Sequence, residues 1–251
     1  MRFRAVWLCT SLSLLLCAPA LAAPGEVDGS YLKPYTNAWK LVMTKAGKEV
    51  GTATWSDETV STSVDGTPAM RRVQVVAGKR GTQTYVNVFD PKTLRPIAGA
   101  FLGSSGDYFE RRFGAGAQDV TTLDARGDHR ALPVRRGAAL SEPVYDFNGG
   151  MYGLILRGLP LREGLTGTIA TLDATGDEIL HVPYRVVGRE RVEAKPGTSM
   201  MTWVVDADVV SADHQEDGSV FRFYLADEAP FVIKLVFTNP KDQVVQTFTM
   251  I

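Results

Sequence analysis

The chain has 251 residues, with 27 Lys and Arg against 28 Asp and Glu and a formal net charge of −1. That balance excludes a nucleic-acid binder built on a basic surface, which needs a clear cationic excess. The 45% hydrophobic content excludes a disordered chain, and the length suffices for one domain, or two small ones, with a sizeable core.

Residues 1–22 read as a cleaved export signal. Arg2 and Arg4 give a basic start, Ala5 to Ala18 is a mostly apolar run, and Ala20-Leu21-Ala22 supplies small residues at −3 and −1. Leu16 stands where an acylated lipoprotein cysteine, here Cys17, would normally follow a small residue. The expectation is therefore a soluble exported protein in the periplasm, without a lipid anchor. Both cysteines, Cys9 and Cys17, fall inside the signal, so the mature chain has no thiol for a disulfide, a nucleophile or a metal site. Losing Arg2 and Arg4 reduces the 27 basic residues to 25 against 28 acidic, a net charge of −3. No later stretch has the roughly 18 uninterrupted apolar residues of a membrane helix.

Residues 23–36, rich in Gly, Pro and acidic side chains at their start, read as a flexible leader. Residues 37–251 read as one antiparallel β domain. Trp39, Leu41 and Met43 alternate with Ala38, Lys40 and Val42, and Val73 and Val75 with Arg72 and Gln74. Thr82 to Phe89 is rich in Val, Tyr and Thr, and Phe109, Arg111 and Phe113 alternate with Tyr108, Glu110 and Arg112. Such alternation suits half-buried strands, whose successive side chains leave opposite faces. Asp65-Gly66, Gly78 to Gly81, Asp90-Pro91, Arg126-Gly127-Asp128, Gly176-Asp177 and Asp217-Gly218 lie between these runs as turns.

Ser141 is a plausible N-cap, with Pro143 in the first turn and Val144, Phe147, Met151, Leu154 and Ile155 near helical spacing. Gly149, Gly150 and Gly153 weaken this helix by roughly 1 kcal/mol each. Towards the C-terminus, Ile179 to Glu193 alternates with interruptions at Pro183 and Gly188, the proline marking an edge or a bulge. Met201, Trp203, Val205, Ala207 and Val209 share a face, as do Phe221, Phe223 and Leu225, and then Phe231, Ile233, Leu235 and Phe237. The fold class is mainly β: a large curved antiparallel sheet or half-open barrel with one main helix on its concave side.

Acid–base or metal chemistry finds little support. His129 and His214 sit in polar turns, and no histidine spacing matches a zinc site. His181 shares a strand face with Arg185, which leaves a hydrolase-type enzyme as the weakest of three readings. Asp206 and Asp208 read as solvent-facing by parity. There is no Gly-x-Ser-x-Gly elbow and no phosphate-cradling glycine loop. No catalytic residue, metal ligand or cofactor is assigned. The remaining signal is apolar. Trp39, Met43, Phe147, Met151, Leu154, Ile155, Met201, Trp203, Phe221 and Phe223, joined by Trp55 and Met200, suit either a hydrophobic binding pocket or a plain core.

Several strings together resemble a bacterial envelope family of unknown function. They are Trp39 to Gly51, Asp90-Pro91-Lys92-Thr93-Leu94-Arg95-Pro96, Val144-Tyr145-Asp146 with Leu156 to Leu161 and Gly164, Val186 to Glu190 with Pro196-Gly197-Thr198, and Phe223 to Asp227 leading into Val232 to Leu235. Pro196 to Met200 departs from that family's pattern in lacking its Ala and Phe. The resemblance implies a fold similar to the Lol carriers of lipoproteins, a half-open barrel with a lid and an apolar cavity. The first expectation is thus a periplasmic, non-enzymatic binding or carrier protein for a hydrophobic or lipid-like ligand. The second is an envelope-assembly scaffold that binds a protein partner through an edge or apolar patch.

Overall fold

The structure, a computed structural model, describes residues 26–79, 81–115, 119–125, 134–172, 178–210 and 218–251. The signal segment, both cysteines, His129, His214 and the turns at 126–130 and 173–177 lie outside the described residues.

Alternating apolar and polar side chains carry the described chain through fourteen strands. These are β1 (Tyr35–Lys45), β2 (Lys48–Val64), β3 (Thr67–Gly78), β4 (Gly81–Phe89), β5 (Pro96–Gly103), β6 (Tyr108–Phe113), β7 (Asp119–Ala125) and β8 (Val134–Ala139), then β9 (Thr166–Leu172), β10 (Ile179–Lys195), β11 (Thr198–Asp208), β12 (Val220–Leu225), β13 (Val232–Asn239) and β14 (Val244–Met250). All belong to one sheet, and every strand pair is antiparallel. Hairpins run outward from the centre, where β1 pairs with β14 in the register Trp39 to Met250 and Leu41 to Phe248. β8 and β9 are left as the two ends, so the barrel is not closed. Ala46-Gly47 and Asp65-Gly66 close the first two hairpins with both residues at positive φ, the geometry that matches strand twist. Pro183, where an edge or bulge was expected, pairs in regular register with Thr168 of β9, and the bulge in β10 lies instead between Val186 and Gly188.

The segment from β8 to β9 straps the two ends together. Tyr145 donates its N–H to the Ala170 carbonyl of β9 at 2.8 Å. Val144, fully buried, packs with Val120 of β7 and Leu172 of β9. Asp146 meets Arg111 of β6 at 3.4 Å, both buried. Burial pushes the Asp146 carboxyl upward against the pull of Arg111.

The helix begins later than its apolar spacing predicts. A single 3-10 turn at Asn148–Gly150 precedes α1 (Met151–Arg157). Ser141 caps nothing, and Val144 belongs to the strap. The reason is steric: Gly149 and Gly150 have φ of 64° and 78°, outside the helical region, so they turn the chain into the helix instead of extending it. Gly153 is inside α1 and allows close approach, since a Cβ there would lie 2.7 Å from Val232 and 3.1 Å from Phe223.

α1 is buried from Met151 to Leu156 and sits in the hollow of the sheet. Its core partners come from Met70 and Phe89 on one half and from Ile169, Val182, Val205, Phe223 and Leu225 on the other. A second cluster joins Trp39, Ile233, Phe248 and Met250 to Ala194 and Ala226. Residues 23–36 read as a flexible leader, yet from 26 onward the structure holds this segment against the domain. Val27 and Leu32 are buried beside Leu94, Leu159 and Phe231, and the Asp28 N–H donates to the Gly158 carbonyl at 2.8 Å. Burial of two large side chains is the reason: each gains roughly 1.5–3 kcal/mol on leaving water.

Asp90 organises the turn beneath this end. Its Oδ1 accepts from the Lys92 and Thr93 N–H groups, each at 2.8 Å, and from the Thr93 hydroxyl at 3.0 Å. Partial burial opposes the charge, but these donors win and hold the carboxyl below its ordinary value. The stability it adds is therefore present above pH ~4 and fades as pH falls through the lowered value. Asp90→Ala is expected to lose about 1–2 kcal/mol at pH 7 and less at pH 3, read by urea denaturation at both values.

Candidate functional site

The interior is chemically two-sided. β9 to β12 present Ile169, Val182, Val205, Phe223 and Leu225 inward, all buried. On β2, β3 and β4 the buried residues instead include Asp57, Thr59, Arg72, Gln74 and Asn87. The valines of β3, Val73 and Val75, are only half-buried, and it is Arg72 and Gln74 that the structure buries.

Arg72 is 2% exposed and bound on every side. Its Nε donates to Asp57 Oδ1 at 2.9 Å, and Nη2 pairs with Asp57 Oδ2. Nη1 donates to the Gly150 carbonyl at 2.9 Å and touches the Met151 sulfur at 3.7 Å. The Tyr35 hydroxyl completes the carboxylate at 2.9 Å. Burial works against the guanidinium, yet Asp57 and the tyrosines beside it keep it firmly protonated. Burial likewise pushes the Tyr35 and Tyr31 hydroxyls up, so both stay neutral. This pair ties β2 and β3 to the entrance of α1.

A cavity of about 400 Å³ lies at that entrance. Phe147 and Tyr152 line it from the helix side, Val182, Phe221 and Phe223 from β10 and β12, and Leu235, Phe248, Gln246 and Trp55 from β13, β14 and β2, with Leu235 paired between Phe223 and Phe248. Leu172, Leu180 and Asp208 to Val210 bound it at the strand ends. A smaller hollow of about 40 Å³ adjoins it through Trp55, Gly150, Phe223, Leu235 and Phe248, with Arg72 and Gln74 behind. Interiors pack at crystal-like density with few voids larger than a water molecule, and ligand sites span about 300–1,000 Å³. The larger space, partly open to solvent, is of ligand size. Its walls are mainly apolar, aromatic and aliphatic in equal number: Phe147 stacks on Tyr152 at 4.0 Å, and Trp55 meets Phe248 edge-on at 5.4 Å.

Four polar atoms of the walls are buried without a partner in the protein: Trp55 Nε1, Gln74 Oε1, the Tyr152 hydroxyl and Thr171 Oγ1. Each carries a penalty of about 1–3 kcal/mol unless something satisfies it. Burial pushes the Tyr152 hydroxyl well above its ordinary value, helped by the nearby Asp208 charge, so it stays a neutral donor.

Phe147, Phe221 and Phe223 line the larger cavity and Trp39 the smaller. Met151, Leu154 and Ile155 are buried but pack in the solid core around α1 and line neither space. Trp203 packs on that core under the Arg189 guanidinium, 4.9 Å from its ring centre, and also lines neither. Met43 sits half-buried near the β1 turn, opposite Gly51 and Gln246. Met201 is 42% exposed because its stretch of β10 and β11 reaches beyond the core. Of the expected ligand-binding residues, Met43, Met151, Leu154, Ile155, Met201 and Trp203 thus line neither space. Tyr152, Thr171, Leu235, Gln246 and Phe248 take their place. Leu235 and Phe248 were detectable as inward members of alternating runs; Thr171 and Gln246 carried no apolar signal.

His181 lies outside both spaces, 2.6 Å from Glu142 on an exposed surface, and Arg185 pairs separately with Asp206 at 3.5 Å. Asp206, expected in solvent, is covered by Arg222, whose Nε and Nη2 reach its oxygens at 2.6 and 2.8 Å. Among the described residues no cluster of three His, Cys, Asp or Glu side chains is placed to hold a metal, and no helix is long and apolar enough to cross a membrane.

An unclosed antiparallel barrel wrapped around a short buried helix, with an apolar hollow at the helix entrance, defines a barrel-like protein. Residues 35–247 match the family described as a protein of unknown function, DUF3108, and the chain belongs to it. The fold is similar to that of the beta-barrel-like protein of domain of unknown function DUF1849 from Brucella abortus. The TM-score is 0.54 at 9% identity, over 87% of this chain and 95% of that one. No curated protein matches the chain.

Proposed function

We propose that the protein is an exported, non-enzymatic binding or carrier protein for a hydrophobic or lipid-like molecule, working in the periplasm. The observation that carries this reading is the apolar-walled space of about 400 Å³ between α1 and the sheet. The basic-apolar-small pattern of residues 1–22 supports export, and the likeness of fold to the Lol carriers that the family resemblance implies supports the ligand class. Apolar burial would drive binding, at about 25 cal/mol per Å² removed from water. The large exposed hydrophobics Val50, Leu102, Val187, Met201 and Ile251 are spread over different strands and the C-terminus, as ordinary surface residues are, so no observed patch favours the scaffold reading.

Leu235 is half-buried and faces both spaces. Leu235→Trp should project an indole between the two spaces and obstruct them at little expense to the fold. The fluorescent probe N-phenyl-1-naphthylamine is expected to bind the native protein saturably at one site, and the variant at least tenfold more weakly with an unchanged melting temperature. Equal binding by both proteins would place the probe elsewhere and remove the support for this site.

A further inference from the structure

We infer that the molecule held in this cavity is a long-chain amphiphile whose polar group is uncharged and hydrogen-bonding, a hydroxyl or amide, and not a carboxylate or phosphate. The inference rests on the binding reading above and names the ligand class of the same site. Two independent observations carry it.

The first is the distribution of charge. Arg72, the cation behind the smaller hollow, already has its donors on Asp57 and the Gly150 carbonyl. Among the described residues around the larger space, Asp208, exposed at the end of β11, is the one ionisable carboxylate or cation. An anionic headgroup would find no free counter-charge inside and a like charge at the rim, which disfavours it.

The second is the set of unpaired polar groups. Gln74 and Thr171 are 1% and 2% exposed and Tyr152 8%, and each keeps a polar atom without a protein partner. Trp55 adds an N–H that can only donate. At the smaller hollow a hydroxyl can donate to Gln74 and accept from Trp55, whereas a carboxylate can only accept. A pure hydrocarbon would leave all four unsatisfied. The apolar β9–β12 wall then receives the chain of the ligand.

The test compares 1-dodecanol with dodecanoate at pH 8, titrated against the full exported protein and followed by tryptophan fluorescence. Dodecanol is expected to bind at least tenfold more tightly. Combining Tyr152→Phe with Thr171→Val should weaken dodecanol about fivefold, and Asp208→Asn should strengthen dodecanoate several-fold, well beyond any change in dodecanol. Dodecanoate binding as tightly as the alcohol, or dodecanol binding unaltered by the double substitution, overturns the inference. If both amphiphiles fail while N-phenyl-1-naphthylamine still binds, the headgroup assignment falls and the binding reading stands. If the probe fails too, both fall.

Discussion

Arg72→Ala is expected to lower the unfolding free energy by about 3–5 kcal/mol, the range for removing one partner of a buried ion pair. Asp57 has no exposed side-chain surface, so its carboxylate would be stranded with the Tyr35 hydroxyl as its remaining named donor. The Gly150 carbonyl would lose its donor as well, loosening the turn into α1. The loss belongs to the stranded charge more than to the attraction. Accordingly Asp57→Leu combined with Arg72→Met, which removes both charges and keeps most of the volume, should recover the larger part. Urea denaturation of the three proteins decides this. A loss below 1 kcal/mol for the single variant would show that the pair does not anchor the helix entrance.

Gly149→Ala should follow closely, at about 2–4 kcal/mol. Two penalties combine there. A residue with a Cβ held at φ of 64° loses roughly 1–2 kcal/mol, and the added methyl would sit 2.5 Å from Tyr85 Cβ and 2.8 Å from Gln74 Oε1, an overpacking of typically 1–3 kcal/mol. Gly164→Ala is the control. Its φ is 76° but nothing lies within 4 Å of the new methyl, so it should carry the backbone penalty alone. Equal losses at the two sites would mean that close packing under Tyr85 is absent.

The sheet was legible because period-two alternation and Gly, Asp and Pro turns act locally; Trp39 to Met43 fall within β1 and Val232 to Phe237 within β13, although Phe231, read as part of that run, precedes the strand at a φ of 67°. The helix was misjudged by apolar spacing across residues 144–155. That spacing cannot see that Gly149 and Gly150 lie at positive φ, a demand set by Tyr85, Gln74 and Trp55 packed against them. Reading β3 by hydrophobicity draws attention to Val73 and Val75, yet Arg72 and Gln74 are the buried pair. Partners 15 residues away in sequence, such as Asp57 for Arg72, make an inward cation tolerable, and no single strand displays them. Met201 looked internal because parity continues along β11 after the core beneath it has ended. The aromatic part of the site, Phe147, Phe221 and Phe223, was readable from rings at inward positions. Its polar part, Gln74, Tyr152 and Thr171, was not, since such residues gain meaning only once the surrounding walls exclude water.

The account stands or falls on whether the hollow beside α1 holds a molecule. Native mass spectrometry of the mature protein, expressed with its own leader and released gently from the bacterial envelope, answers this directly. A population heavier than the polypeptide by the mass of one long-chain amphiphile, absent from Leu235→Trp prepared in parallel, is the predicted result. The bare polypeptide mass alone, or an adduct carried equally by Leu235→Trp, would contradict it.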